Sequence, residues 1–132
     1  MTVIRFGVSL EEDLMKRLDQ LVVKHQFPNR SQAIRFLINQ HIVEDKWKED
    51  RDVAGALVLI YDHHKRDLQK RLTGLQHDYH CLILSSQHVH LDHHNCLETI
   101  ALKGKSSKLL KLSDKLRSIK GIKHGDLVMS TT

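Results

Sequence analysis

The feature that most constrains the fold is a short amphipathic strand near the start of the chain. Apolar and polar residues alternate there with the period of two that indicates a strand with one buried face. The apolar positions are Ile4, Phe6, Val8 and Leu10, and the polar face carries Arg5, Gly7 and Ser9. A lone strand cannot bury its apolar face, so the simplest arrangement is an intertwined dimer, in which two strands pair as an antiparallel ribbon and the polar face points outward.

Two helices are predicted after this strand. Ser9 followed by Glu12 fits a capping box, and leucines at helical spacing predict a helix over about residues 10–24. Asn29 or Ser31 can cap a second helix, which has its own apolar stripe.

A dense run of charged residues over 44–52 ends the second helix and marks a domain boundary. We therefore expect a first domain over residues 1–48, a charged linker over 49–52 and a second domain over 53–132.

The second domain has the pattern of a ferredoxin-like βαββαβ fold, which makes the whole chain α+β. An apolar run predicts the first strand, leucines at helical spacing predict the first helix, and β-like segments on both sides of a polar turn predict a hairpin. The segments, in order, are 53–61, 65–79, 81–91 with 96–102, a helix that begins near 106, and 122–129.

Composition limits the classes of function. The first 50 residues hold eight Lys and Arg against eight Asp and Glu, so the net charge of +5 belongs to the second part of the chain, and it favours a polyanionic partner. No stretch has the length and apolar character of a membrane span or a secretory signal, so we expect a soluble, cytoplasmic protein. Two cysteines are too few for a disulfide framework, which leaves metal chemistry open.

A metal site is predicted at the hairpin, in the stretch QHVHLDHHNCLE. His88 and His90 are two apart on a predicted strand, so their side chains leave the same face. Cys96 begins the return strand, where a thiolate can add a third ligand. A thiolate with imidazoles selects a transition ion over Mg²⁺ or Ca²⁺.

Further ligands and supporting groups stay open on spacing alone. The fourth ligand can be His77, His80, His93 or His94. Glu98 shares the face of Cys96 and can hydrogen-bond a ligating imidazole, and Tyr61 and His63 can contribute similarly.

The ligand types do not choose between Ni²⁺, Cu²⁺ and Zn²⁺. A metallohydrolase would need a general base, and Glu98 is the only evident carboxylate at the hairpin. A metal storage or chaperone protein would have no use for an ordered N-terminal ribbon.

These residues carry a resemblance to a known family. The N-terminal segments resemble a ribbon-helix-helix DNA-binding domain, and the later ones resemble the metal-binding domain of the nickel-responsive transcriptional regulators. The matching segments are Ile4–Leu10, Asn29–Arg35, Tyr61–Leu68, Gln76–His77, His88–His90, Cys96–Glu98 and Leu102–Gly104.

For the metal, the resemblance implies one Ni²⁺ per subunit in a square-planar site. His88, His90 and Cys96 would come from one subunit and His77 from another, while His93 and His94 would be solvated turn residues. Tyr61 and Glu98 would match the hydrogen-bond network around the metal. The assembly would be a homotetramer, with two ribbon-helix-helix dimers on a core of four ACT-like domains.

For DNA, the resemblance implies that the outward ribbon residues Arg5, Gly7 and Ser9 read bases of a double-stranded operator. The second helix would meet phosphate with its first residues, Asn29, Arg30 and Ser31, while Lys65 and Arg66 would make nonspecific phosphate contacts. A nickel-loaded member would repress nickel-uptake genes. A regulator of the same build that responds to Cu²⁺, Co²⁺ or Zn²⁺ is the alternative.

Two positions depart from the family pattern. Gly7 has no side chain with which to read a base, so operator choice would differ. Gln32 and Phe36 stand where some members carry acidic residues that help to bind another cation, so that site is not carried over.

Overall fold

A computed structural model describes residues 2–132 of the chain. Its elements are α1 (Glu12–Lys24), α2 (Arg30–Lys48), β1 (Asp52–Asp62), α3 (Arg66–Asp78), a 3₁₀ turn (His80–Leu82), β2 (Ile83–His90), β3 (Asn95–Lys105), α4 (Ser106–Arg117) and β4 (Ile122–Ser130). The chain divides into two compact units, one that ends at His41 and one that runs from Ile42 to Thr132. The fold is α+β, as predicted.

The N-terminal unit begins with an unpaired arm. Residues 2–11 form neither helix nor strand in the single chain, although they hold the predicted strand over 4–10. Strand hydrogen bonds need a neighbour, and the arm instead exposes 82% of Ile4 and 73% of Phe6. We use the name N-terminal arm for residues 2–11 below.

The two N-terminal helices differ in how they begin. The expectation that Ser9 caps the first helix is wrong. The N-cap residue of α1 is Glu11, the helix begins at Glu12, and no side chain forms a capping hydrogen bond. The second helix has the predicted cap, since Asn29 Oδ1 accepts a 2.9 Å hydrogen bond from the Gln32 amide.

An ion pair joins these helices, and an aromatic contact joins the connection between them to α2. Arg30 donates two hydrogen bonds to the Asp19 carboxylate, of 2.8 and 3.0 Å. The Phe27 and Phe36 rings lie 5.3 Å apart between centroids. Arg30 therefore has an internal partner before any phosphate approaches.

The C-terminal unit is a four-stranded antiparallel sheet in the order β2-β3-β1-β4. The element order is the predicted βαββαβ. Its core lies between the sheet and the helices, and is built from one face of β1 and β3 with the apolar stripes of α3 and α4. The largest fully buried side chains include Leu57, Leu59, Ile100, Leu109 and Leu116.

The end of α2 is packed into this unit. Trp47 is 5% exposed, and its indole N–H donates a 2.9 Å hydrogen bond to the Ser130 carbonyl. The ring covers Gly55 on β1, where a Cβ atom would lie 3.3 Å from the indole and 2.7 Å from the Val128 carbonyl oxygen. Only a residue without a side chain fits under the ring.

Within residues 2–132, no helix combines the length and apolar character needed to cross a bilayer.

Candidate metal centre

The hairpin of β2 and β3 sets residues of the candidate site opposite one another on neighbouring strands. His90 lies opposite Cys96, and His88 lies opposite Glu98 in the antiparallel register. The His88 and His90 rings are 5.3 Å apart between centroids, as expected of side chains two positions apart on one strand face.

Cys96 offers a buried thiol at the beginning of β3. The residue is 0% exposed, and its Sγ donates a 3.4 Å hydrogen bond to the Tyr61 carbonyl. Burial raises the pKa of the Cys96 thiol, because the thiolate would lose its hydration. In the metal-free chain the group is therefore a thiol at neutral pH, and it must release a proton to bind a metal.

Glu98 is a buried carboxylate that accepts three hydrogen bonds. The residue is 6% exposed. Tyr61 Oη donates to Oε1 at 2.6 Å, while Gln76 Nε2 and Ser86 Oγ donate to Oε2 at 2.5 and 3.0 Å. These donors come from β1, α3 and β2, so the carboxylate joins three elements and its desolvation is compensated.

His88 lies against this network. Its Nδ1 atom is 3.2 Å from Tyr61 Oη and 3.9 Å from Glu98 Oε1. Burial, with the Glu98 hydrogen bond and charge, raises the pKa of Tyr61 above its ordinary value. The neutral phenol and the carboxylate together fix the orientation of the imidazole, as groups behind metal-binding histidines do.

His63 stacks on the other hairpin histidine. Its ring is 4.3 Å from His90 and 4.1 Å from His64 between centroids. Its Nδ1 atom is buried without a hydrogen-bond partner among residues 2–132. Desolvation, with the neighbouring imidazoles, lowers the pKa of His63, so the ring is neutral at pH 7, and its unprotonated nitrogen can accept a hydrogen bond or ligate a metal.

His77 occupies the last turn of α3, where it is exposed and its ring lies 6.2 Å from His80. Within residues 2–132, only Asp62, His64 and His94 have three ligand atoms within 4.8 Å of one another. No three of the four residues selected from the sequence are gathered as closely in one chain. Sequence reasoning missed Asp62 and His64 and set His94 aside.

Sequence reasoning also missed Gln76 and Ser86 as donors to Glu98. A signal for Ser86 was present, because it shares a strand face with His88 and His90. Gln76 had no comparable signal, since its approach depends on how α3 packs on the sheet.

The candidate DNA-contacting residues are exposed. They lie on the N-terminal arm, at the start of α2 and at the start of α3, and are Arg5, Gly7, Ser9, Asn29, Arg30, Ser31, Lys65 and Arg66. The amides at the start of a helix can bind an anion, and exposed cations beside them strengthen that binding.

Comparison with known proteins covers both units. Residues 4–45 match the family model described as "Ribbon-helix-helix protein, copG family", and residues 54–130 match "NikR C terminal nickel binding domain".

Solved structures support the fold of the second unit alone. An uncharacterized protein of Thermotoga maritima, 18% identical, covers 60% of this chain and 98% of its own at a TM-score of 0.55. An ACT domain from a GTP pyrophosphokinase of Chlorobium tepidum, also 18% identical, covers 58% and 99% at 0.50.

Curated relatives match nearly the whole chain, and each is named "Putative nickel-responsive regulator". The protein of Desulfovibrio desulfuricans is 52% identical and that of Syntrophus aciditrophicus 49%, each over 97% of this chain and 93% of its own. The protein of Thermococcus kodakarensis is 47% identical over 100% and 96%. This is a family of DNA-binding, nickel-binding regulators and not of enzymes. With a ribbon-helix-helix domain followed by a nickel-binding ACT-like domain, the chain belongs to the family of nickel-responsive regulators.

Proposed function

We propose that the chain is a repressor of nickel-uptake genes that binds its operator when loaded with nickel. The observation that carries the proposal is the hairpin register, which sets His90 opposite the buried Cys96 thiol and places His88 against the Tyr61–Glu98 pair. One soft donor and oriented imidazoles form a donor set that suits Ni²⁺.

The proposed ligands are His88, His90 and Cys96 of one subunit and His77 of another, with one Ni²⁺ per subunit. His77 is exposed on α3 and the single chain does not gather the set, which supports a ligand from a second subunit. Tyr61, His63 and Glu98 position the ligands. Bound nickel would link the two subunits through these ligands, and the positions of the ligands in the fold would set where the link forms.

The proposed assembly is a homotetramer, formed by two arm-paired dimers and the ACT-like units. Support comes from the N-terminal arm, whose apolar residues are exposed in the single chain. Phe6, Val8 and Leu10 line a groove of about 660 Å³ with side chains of α1 and α2. A second arm paired with the first would cover this groove.

The proposed DNA contacts follow from this dimer. Backbone pairing of the two arms, with their apolar faces packed on the helices, would turn Arg5, Gly7 and Ser9 toward the major groove of a double-stranded operator, where an arginine can read guanine. The residues Asn29, Arg30 and Ser31, with Lys65 and Arg66, would bind phosphate. We place the protein in the cytoplasm with its DNA.

In domain terms, we propose that residues 1–48 form the DNA-binding domain, 49–52 a charged linker, and 53–132 the metal-binding and tetramer-forming domain. The two compact units separate inside α2, and this helix continues to Lys48.

The test is a DNA-binding titration with the full-length protein and operator candidates from nickel-uptake genes. Stoichiometric Ni²⁺ should tighten operator binding, and by reciprocity the operator should tighten nickel binding by the same factor. Parallel titrations with Cu²⁺, Co²⁺ and Zn²⁺ identify the effective metal. An operator affinity that does not change when nickel is added would overturn the proposal.

A further inference from the structure

A second group of metal-binding side chains lies beside the hairpin turn and outside the proposed centre. It consists of Asp62 at the end of β1, His64 two residues later and His94 in the turn between β2 and β3. One ligand atom from each of the three lies within 4.8 Å of the other two. We call this group the turn cluster.

Hydrogen bonds hold both loops of the turn cluster in place. Asp62 Oδ1 accepts the His64 amide at 2.9 Å and lies 3.1 Å from His64 Nδ1. On the other loop, Asp92 Oδ1 accepts the amides of His94 and Asn95 at 2.9 and 2.8 Å. The backbone on both sides is therefore fixed before an ion arrives, which reduces the entropic cost of binding.

The turn cluster is open to solvent. The His64 side chain is 50% exposed and that of Asp62 22% exposed, and His94 is exposed. The His93 ring lies 5.3 Å from His64 and 4.9 Å from His94, so a further imidazole stands beside the group. An ion can enter without movement of the core, and water can complete its coordination.

We propose that Asp62, His64 and His94 form a second metal site, which binds a first-row divalent transition ion of the Ni²⁺, Cu²⁺ and Zn²⁺ class. Two of the three donors are imidazoles, which favour such ions over Mg²⁺ and Ca²⁺. The site binds more weakly than a centre with four protein ligands, because it is exposed and lacks a thiolate. It shares no ligand with the proposed centre and does not depend on that assignment.

The two ligand sets meet along a row of imidazoles. His63 lies between them, with its ring 4.1 Å from His64 and 4.3 Å from His90. The short turn that carries His94 also joins the strands that carry His90 and Cys96. Because the sets are adjacent, bound metal must be assigned by counting ions in single-site variants.

The test is equilibrium dialysis of the full-length protein against buffered NiCl₂, with bound nickel counted per subunit by elemental analysis. The wild type should bind two ions in two steps. His64→Ala, Asp62→Asn and His94→Ala should each lose the weaker step and keep the tight one. Cys96→Ser should lose the tight step and keep the weaker one, and the Cys96→Ser/His94→Ala double variant should lose both.

His124→Ala, which removes an exposed histidine on β4, is the matched control and should keep two ions. Circular dichroism and Trp47 fluorescence verify that each variant is folded. If His94→Ala and His64→Ala both bind as much nickel as the wild type at every free concentration, the second site does not exist. If Cys96→Ser keeps the tight step, the proposed nickel centre is wrong and the turn cluster is unaffected.

Discussion

Tyr61 donates a 2.6 Å hydrogen bond to Glu98 from the neighbouring strand of the sheet. The same hydroxyl oxygen lies 3.2 Å from His88 Nδ1, so one phenol connects a buried carboxylate to a candidate ligand. The pair should therefore affect both the stability of the metal-free fold and its affinity for metal.

Tyr61→Phe removes this donor and leaves Glu98 with two hydrogen bonds. The loss of a bond to a charged acceptor should reduce the free energy of unfolding by about 1.5–3 kcal/mol. Nickel affinity should fall about 10- to 100-fold, because His88 loses its positioning group. Urea unfolding of the metal-free protein and competition against a chelator measure the two effects.

Tyr79→Phe is the control for that substitution. The Tyr79 hydroxyl accepts from Lys115 Nζ at 2.5 Å at an exposed site, away from Glu98. Nickel affinity should stay at the wild-type value in this variant. Equal losses of affinity in the two variants would contradict the role given to Tyr61.

Nickel binding should depend on pH through the Cys96 thiol. Burial raises the pKa of this thiol, so the proton is present in the metal-free protein and must leave when metal binds. The apparent affinity should therefore fall by about tenfold for each unit of acidification, for each proton displaced. Proton release measured during a nickel titration verifies this directly.

The two cysteines provide a matched pair for the same question. Cys96 is buried and Cys81 exposed. Cys96→Ser should abolish tight nickel binding and the sulfur-to-nickel absorption band, whereas Cys81→Ser should preserve both. A band that survives in Cys96→Ser would place the thiolate ligand elsewhere.

The N-terminal arm should control assembly through one face and DNA binding through the other. Phe6→Asp places a charge on the apolar face and should dissociate the arm-paired dimer, with loss of operator binding. Arg5→Ala should keep the oligomer and weaken operator binding by about 1–3 kcal/mol, the value of a bidentate arginine–guanine contact. Sedimentation and DNA titration separate the two results, and a dimer that survives Phe6→Asp would contradict the paired arm.

The contribution of the hairpin turn to stability should depend on pH through Asp92. Its hydrogen bonds to Asn95 and to the His94 amide lower its pKa from 3.8 to about 2. A lowered folded pKa adds stability that is complete above pH of about 4 and is lost as the pH falls through about 2. Asp92→Ala should therefore lower the melting temperature at neutral pH, and the gap from the wild type should close as the pH falls from 4 to 2.

Two glycines should respond oppositely to alanine. At Gly55 an added Cβ would meet the Val128 carbonyl oxygen at 2.7 Å, so Gly55→Ala should destabilise the protein by about 1–3 kcal/mol. At Gly74 in α3 nothing lies within 4 Å, and alanine is the better helix former, so Gly74→Ala should stabilise by about 0.5–1 kcal/mol. Trp47 fluorescence during urea unfolding reports both.

Local signals in the sequence predicted much of this fold. Asn29 was identifiable as a helix cap because its partner is only three residues away. The hairpin was identifiable because alternation on either side of a polar turn sets its register, and that register brings His90 to Cys96.

The features that the sequence did not predict depend on contacts with distant parts of the chain or with another chain. The N-terminal arm has the pattern of a strand, yet strand hydrogen bonds need a partner that one chain lacks. The turn cluster was missed because His64 and His94 belong to different loops, and no spacing rule links them. Gln76 reaches Glu98 only through the packing of α3.

The full burial of Cys96 should protect its thiol from oxidation in the metal-free protein. Peroxide and disulfides react with exposed thiolates, and Cys96 is both shielded and kept protonated, whereas Cys81 is exposed. Oxidants should therefore modify Cys81 first and leave the sulfur at the hairpin reduced. The Cys96 thiol of the metal-free protein would therefore stay reduced, and able to bind nickel, while metal is scarce.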